Sequence, residues 1–155
     1  MNKVYLYGEE AKNGLKNENG EVIVPAGIYS TIKVTDQFIE VTFIEKTGTK
    51  MYKYLNFKGE EISPVMYEGS LGLFSHGLMG VKKDGKWGFI DENWEVVIPF
   101  MYDDVWHFGA GPNFYIDPDH ARAELNGKGG EITRYNQVVI PFVHDGMFWD
   151  YESDH

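Results

Sequence analysis

Four of the chain's six prolines occupy one slot. The stretches are "NGEVIVPAGIY" to Pro25, "KGEEISPVMY" to Pro64, "NWEVVIPFMY" to Pro99 and "YNQVVIPFVH" to Pro141. Each has a turn pair, then one polar residue (Glu21, Glu60, Glu95, Gln137), three further residues, proline, and shortly after it Tyr or His. The three residues are apolar in every copy except Glu61-Ile62-Ser63. Successive prolines are 39, 35 and 42 residues apart. A period in this range marks a repeat architecture, in which one small supersecondary unit recurs along the chain.

The units extend backward from each proline. "GLMGVKKDGKWGFIDENWEVVIP" aligns with "HARAELNGKGGEITRYNQVVIP". The earlier copies align less closely, with two extra residues in the first turn of the second. A surplus of seven residues in the last spacing falls in "GPNFYIDPDH". Each unit reads as strand, turn, strand, turn, strand. Asp84-Gly85, Asn126-Gly127 and "KTGT" fill the first turn; Asn19-Gly20, Lys58-Gly59 and Asn93-Trp94 fill the second. Gly and Asn tolerate the positive φ that tight hairpins need. The runs between are short, β-branched and aromatic. Proline cannot donate to a ladder, so its slot marks a strand end, an edge or a bulge. No long stretch has the helical period. The expected fold is all-β: about four three-stranded antiparallel meanders, roughly at 3–35, 38–70, 74–106 and 113–148. One meander cannot bury its apolar face alone, so neighbours must pack on each other. The pattern is compatible with a closed propeller-like ring and with an open twisted stack.

At 155 residues the chain is most simply read as one domain, 1–155. It has no cysteine, hence no disulfide and no thiolate nucleophile or ligand. Its start has no segment of signal-peptide type and no apolar run reaches membrane-spanning length, so the expected location is cytoplasmic. The net charge is −10, and it is unevenly placed. Residues 1–86 hold eleven lysines and eleven acids, whereas residues 87–155 hold thirteen acids against Arg122, Lys128 and Arg134. This disfavours nucleic acid, whose phosphates call for basic groups, and favours a basic partner.

The segment "FSHGLMGVKKDGKWGFIDENWEVVIPFMYDD", residues 74–104, resembles a unit of the WG-repeat (KWG) β-repeat family. Gly77, Leu78, Gly85, Lys86, Trp87, Gly88, Ile90, Asp91, Val97, Ile98, Pro99, Tyr102 and Asp103 carry the resemblance. The other copies are degenerate: Tyr52 and Gly129 stand where this unit has Trp87. The resemblance implies a β-repeat fold and no particular chemistry. It makes Trp87 a packing residue. Trp94 sits in a turn slot that other units fill with Gly, and is expected to be exposed.

Catalytic signatures are missing. The histidines, His76, His107, His120, His144 and His155, show no metal-ligand spacing. His144 fills the slot of Tyr102, as a core or boundary residue would. Asp117 to His120, "DPDH", lacks calcium-loop spacing, and "GAGP" at 109–112 lacks the ending of a phosphate loop. No serine lies in a nucleophile elbow. Adjacent strand residues such as Asp103 and Asp104 face opposite sides, which is poor geometry for joint acid–base work. The expectation is a non-enzymatic protein without metal or cofactor.

Residues that break the repeat rules are where function should be sought. With the acids beside them, the candidates are Trp94, Asp104, Trp106, His107, Phe114, Tyr115, Asp117, Asp119, Trp149, Asp150, Tyr151 and Glu152, joined by Asp103, which belongs to the repeat motif and is included for its charge. Aromatics can anchor an interface and carboxylates can steer a basic partner. The sequence therefore points to a protein-binding module, such as the acidic inhibitor or immunity protein of a basic toxin domain. The alternative is a carbohydrate or cell-envelope binder that stacks Trp and Tyr on sugar rings.

Overall fold

In the computed structural model, which describes residues 3–8, 13–111 and 116–149, one five-residue turn recurs four times. Its first residue is Asn17, Asn56, Asp91 or Thr133. The side-chain oxygen of that residue accepts from the amides two and four positions on: Asn19 and Glu21, Lys58 and Glu60, Asn93 and Glu95, Tyr135 and Gln137. The backbone closes the same loop in every copy. The fourth residue has positive φ each time: Gly20 at 81°, Gly59 at 86°, Trp94 at 65° and Asn136 at 60°. This explains the polar start of the motif, because these short side chains satisfy turn amides that no strand can reach. Asp91→Ala removes the one oxygen, Oδ1, that accepts both bonds. It is expected to cost about 1–2 kcal/mol, read as a lowered urea midpoint, whereas its exposed neighbour Glu92→Ala should leave the midpoint unchanged.

The turns join antiparallel strands into four sheets. The first holds β1 (Val4–Tyr7), β2 (Gly14–Asn17) and β3 (Val22–Val24). The second holds β4 (Thr31–Val34), β5 (Ile39–Ile44) and β6 (Lys50–Leu55). The third runs in the order β10 (Val96–Tyr102), β9 (Lys86–Asp91), β8 (Leu78–Lys83), β7 (Gly69–Ser70). The fourth runs in the order β11 (Asp104–Val105), β12 (His120–Leu125), β13 (Lys128–Thr133), β14 (Val138–His144). Among the described residues no sheet closes on itself. The all-β class and the antiparallel meanders are as expected; the strand count per unit is not. The described strands number fourteen rather than about twelve, and the third and fourth sheets have four strands each. The added strand is the segment after the preceding proline. Tyr102 still pairs with Trp87 of β9, while Asp104 and Val105 already pair with Glu124 and Ala123 of β12. The Tyr-Asp of the motif is thus the point where the chain leaves one sheet and begins the next. The same rule moves β4, placed with the first unit by the sequence, into the second sheet beside β5.

The tertiary contacts divide the chain into two units, Met1–Glu68 and Gly69–His155. Within each, one sheet packs its face on the next. In the first unit Leu15 and Val24 of the first sheet meet Ile39, Val41 and Leu55 of the second. In the second unit Leu78, Phe89 and Ile98 of the third sheet meet Val105, Ala121, Ala123 and Ile132 of the fourth, with Phe89 and Phe108 edge to face at 4.8 Å. Trp87 is half-buried against this core, its ring over Gly69, which is the packing role that the repeat assigns to it.

Glycine of the Trp-Gly pair is required by a close approach. A Cβ on Gly88 would lie 2.5 Å from the carbonyl oxygen of Ile98, and one on Gly130 2.7 Å from that of Ile140. A Cβ on Gly14 would meet the carbonyl oxygen of Val24 in the same way. Each carbonyl belongs to the residue before the repeat proline, where the third strand shifts register. Lys53 holds this position in the second sheet, opposite Val41 as Gly88 is opposite Val81. There the third strand is reduced to two isolated bridges, Leu55 with Glu61 and Tyr52 with Tyr67. Pro99 and Pro141 lie exposed on the edge strands β10 and β14, where a residue without an N–H blunts edge-to-edge pairing. Among the described residues no helix is long and apolar enough to cross a membrane.

Candidate functional site

The third and fourth sheets align through their hairpins, Asp84-Gly85 and Asn126-Gly127, in which all four residues have positive φ. The alignment exposes a substitution on one face. Where the third sheet pairs Gly80 with Phe89, the fourth pairs Arg122 with Glu131. Where the third has Leu78 and Trp87, the fourth has His120 and Gly129. In the third sheet this face is the one that packs on its neighbour. In the fourth it is the outer face, and a segment of the chain folds over it.

Arg122 and Glu131 are nonetheless buried, at 0% and 1% exposure. Arg122 Nε donates to Glu131 Oε1 at 2.8 Å. His120 Nδ1 lies 2.9 Å from Oε2 and carries the proton there, since a carboxylate only accepts. Arg122 Nη1 donates to the carbonyls of Met147 at 3.0 Å and Trp149 at 2.6 Å. The guanidinium carbon stands 3.7 Å from the centre of the Trp149 ring, and His144 stacks on that indole at 4.0 Å and 10°. Gly129 makes room for it: a Cβ there would come 3.0 Å from the Trp149 ring and onto the carbonyl of Gly146. Trp149 thereby covers the position at which the third sheet carries its own tryptophan. Beside it, Phe148 meets Trp106 edge to face at 5.4 Å, and Trp106 meets His107 at 4.8 Å.

Of the residues singled out from sequence, Trp106, His107 and Trp149 come together at this outer face. Burial pushes the His107 imidazole below its usual value, and Nδ1 has no hydrogen-bond partner among the described residues. The ring is held neutral, so stability from this source is present above about pH 6.5 and lost as pH falls from there through the lowered value.

The remaining candidates do not join them. Trp94, expected to be exposed, is half-buried and packs edge to face on Phe74 at 5.5 Å. That contact is its physical role: it holds a bulky residue in a left-handed turn position where glycine or asparagine would be unstrained. Asp103 accepts from Lys86 Nζ at 2.6 Å and from the Gly127 amide at 3.1 Å, and both bonds hold its carboxyl below the usual range. Asp104 caps the Val105 amide. Asp117 accepts from the Asp119 amide, and Asp119 pairs with Arg134 at 3.1 Å. Phe114, Tyr115, Asp150, Tyr151 and Glu152 lie outside the described residues. An open cleft in the first unit, lined by Glu21, Phe57 and Lys58 among others, contains none of the candidates.

Reading by residue type gives no binding role to Arg122 and Glu131, and reads His144 only as a core or boundary residue. A signal for them was present in the alignment of "GKWGF" with "GKGGE": loss of both large aromatics from one strand face, with a charge in exchange.

A family model described as WG containing repeat matches residues 54–87 and 87–128. The two matches meet at Trp87, and the second runs from the third sheet into the hairpin of the fourth. No curated protein and no solved structure matches the chain.

Proposed function

We propose that the chain, whose residues 54–128 match a WG-containing-repeat model, is a non-enzymatic protein-binding module whose acidic second unit docks a basic protein. One observation carries the reading. Every cation from Lys86 onward is already committed to an acid: Lys86 to Asp103, Arg122 to Glu131, Lys128 to Asp145 and Arg134 to Asp119. The unit also holds Lys82 and Lys83, and fourteen acids against six cations in all leave it with an acidic surplus. Glu92, Glu95 and Asp117 are exposed and pair with no cation among the described residues. Asp104 and Glu124 face each other directly across β11 and β12, an arrangement of like charges that costs stability. An incoming Lys or Arg would relieve it. The basic domain of a toxin, held inactive by an acidic inhibitor, is a partner of this chemistry.

The test is capture from the source cell on the immobilised chain, followed by surface plasmon resonance with the captured protein. Lys at Asp104, Asp117 and Glu124 together should slow association and leave the melting curve cooperative. Wild-type association should also weaken with salt, because exposed charges are screened beyond about 8–10 Å near physiological ionic strength. A partner that associates equally fast with the reversed protein, at every salt concentration, would refute the reading.

A further inference from the structure

The outer face of the fourth sheet holds a ligand-like segment of its own chain. After β14 a turn at Asp145-Gly146, with Gly146 at φ 89°, sends Met147 to Trp149 back across Gly129 and Arg122. The segment is held by two kinds of contact. Its backbone carbonyls at Met147 and Trp149 accept from one guanidinium nitrogen, and its aromatic rings lie on Arg122, His144 and Trp106. Backbone acceptors are common to every peptide, so specificity rests on the rings and their spacing.

The face beneath differs from one built to stay dry. The matching face of the third sheet is Leu78, Gly80 and Phe89, whereas this one is His120, Arg122 and Glu131. Charged groups gain water when a cover lifts, while an apolar face would lose by it. Phe148, at 46% exposure, forms the loose edge of the cover.

We infer that this outer face is a binding site for an extended peptide segment bearing adjacent aromatic side chains, and that Met147–Trp149 occupies it in cis. The ligand's two alternate carbonyls would take the Arg122 bonds. One ring would fill the gap over Gly129 against His144, and the next would meet Trp106. This site is separate from the acidic docking surface, since it recognises aromatic rings and backbone rather than positive charge. Either can fail alone.

The test uses the full chain and an end-blocked peptide of residues 145–149, Asp-Gly-Met-Phe-Trp, labelled for fluorescence anisotropy. In wild type the cis segment competes at the high effective concentration of a short tether. In Trp149→Ala the site is vacated, and the peptide should bind at least about ten-fold more tightly than to wild type. Adding Arg122→Gln should remove about ten-fold or more of that gain, and a peptide with Ala in place of Phe and Trp should not bind. Equal binding to wild type and Trp149→Ala would overturn the inference. So would a Trp149→Ala chain that melts cooperatively yet shows no saturation. If Trp149→Ala lacks a cooperative transition, Phe148→Ala takes its place in the same titration, with the same results supporting or overturning the site.

Discussion

Glu131→Ala is expected to destabilise the second unit by about 3–5 kcal/mol, the range for breaking a buried ion pair from one side. The substitution leaves the Arg122 guanidinium at 0% exposure with its Nε partner gone, and takes from His120 Nδ1 its acceptor. Water cannot replace the Arg122 partner without lifting Trp149 off the face. The decisive comparison is the double replacement Arg122→Met with Glu131→Leu. Removing both charges should cost much less than Glu131→Ala alone, because well-packed apolar residues often replace a buried pair at little or no cost. Urea unfolding of Arg122→Met, Glu131→Leu and the double variant gives the coupling energy. If the double variant loses as much as the two singles together, the stability comes from packing around the pair and not from the pair.

Gly88→Ala carries the second large effect, about 3 kcal/mol, the upper end for overpacking a well-packed site. The atoms in the way are the backbone carbonyl oxygens of Ile98, at 2.5 Å, and Pro99, at 2.8 Å, which cannot rotate aside. The edge strand β10 must then lift from β9. A control separates crowding from backbone strain. Gly127 has φ 80° but nothing within 4 Å of a Cβ, so Gly127→Ala pays only the left-handed penalty of about 1–2 kcal/mol. Thermal melts should show the larger drop for Gly88→Ala, and amide spectra should show its changes concentrated in β10. Equal losses at both positions would mean that the approach of β10 is not what the glycine serves. The second sheet already shows the predicted consequence, since Lys53 stands in this slot and no full third strand forms beside it.

The repeat, the all-β class and the hairpins were legible because they depend on local chemistry. Asn-Gly and Asp-Gly accept positive φ wherever they occur, and proline lacks a donor in any surroundings. Trp87 could be assigned to the core for the same reason: its place in the motif fixes its face of the strand. Two things did not follow from local rules. The chain that follows Pro25, Pro64 and Pro99 goes on to join the next sheet, and only the pairing partner decides that. Trp94 occupies a glycine slot and reads as exposed, yet Phe74, twenty residues earlier, gives it a contact surface.

The sequence by itself determined the repeated unit, its turns and the concentration of net charge after residue 86. Each rests on residues close together in the chain or on simple sums. Tertiary structure decided that Arg122 and Glu131 lie on the outer face of the fourth sheet, beneath Met147 to Trp149. It also decided that Trp149, twenty residues beyond Gly129, covers the gap where a repeat tryptophan is missing. The reason is physical. A charge in a strand is read from sequence as solvent-facing, and it becomes a buried pair only when a distant segment folds over it and supplies the hydrogen bonds that water would have made.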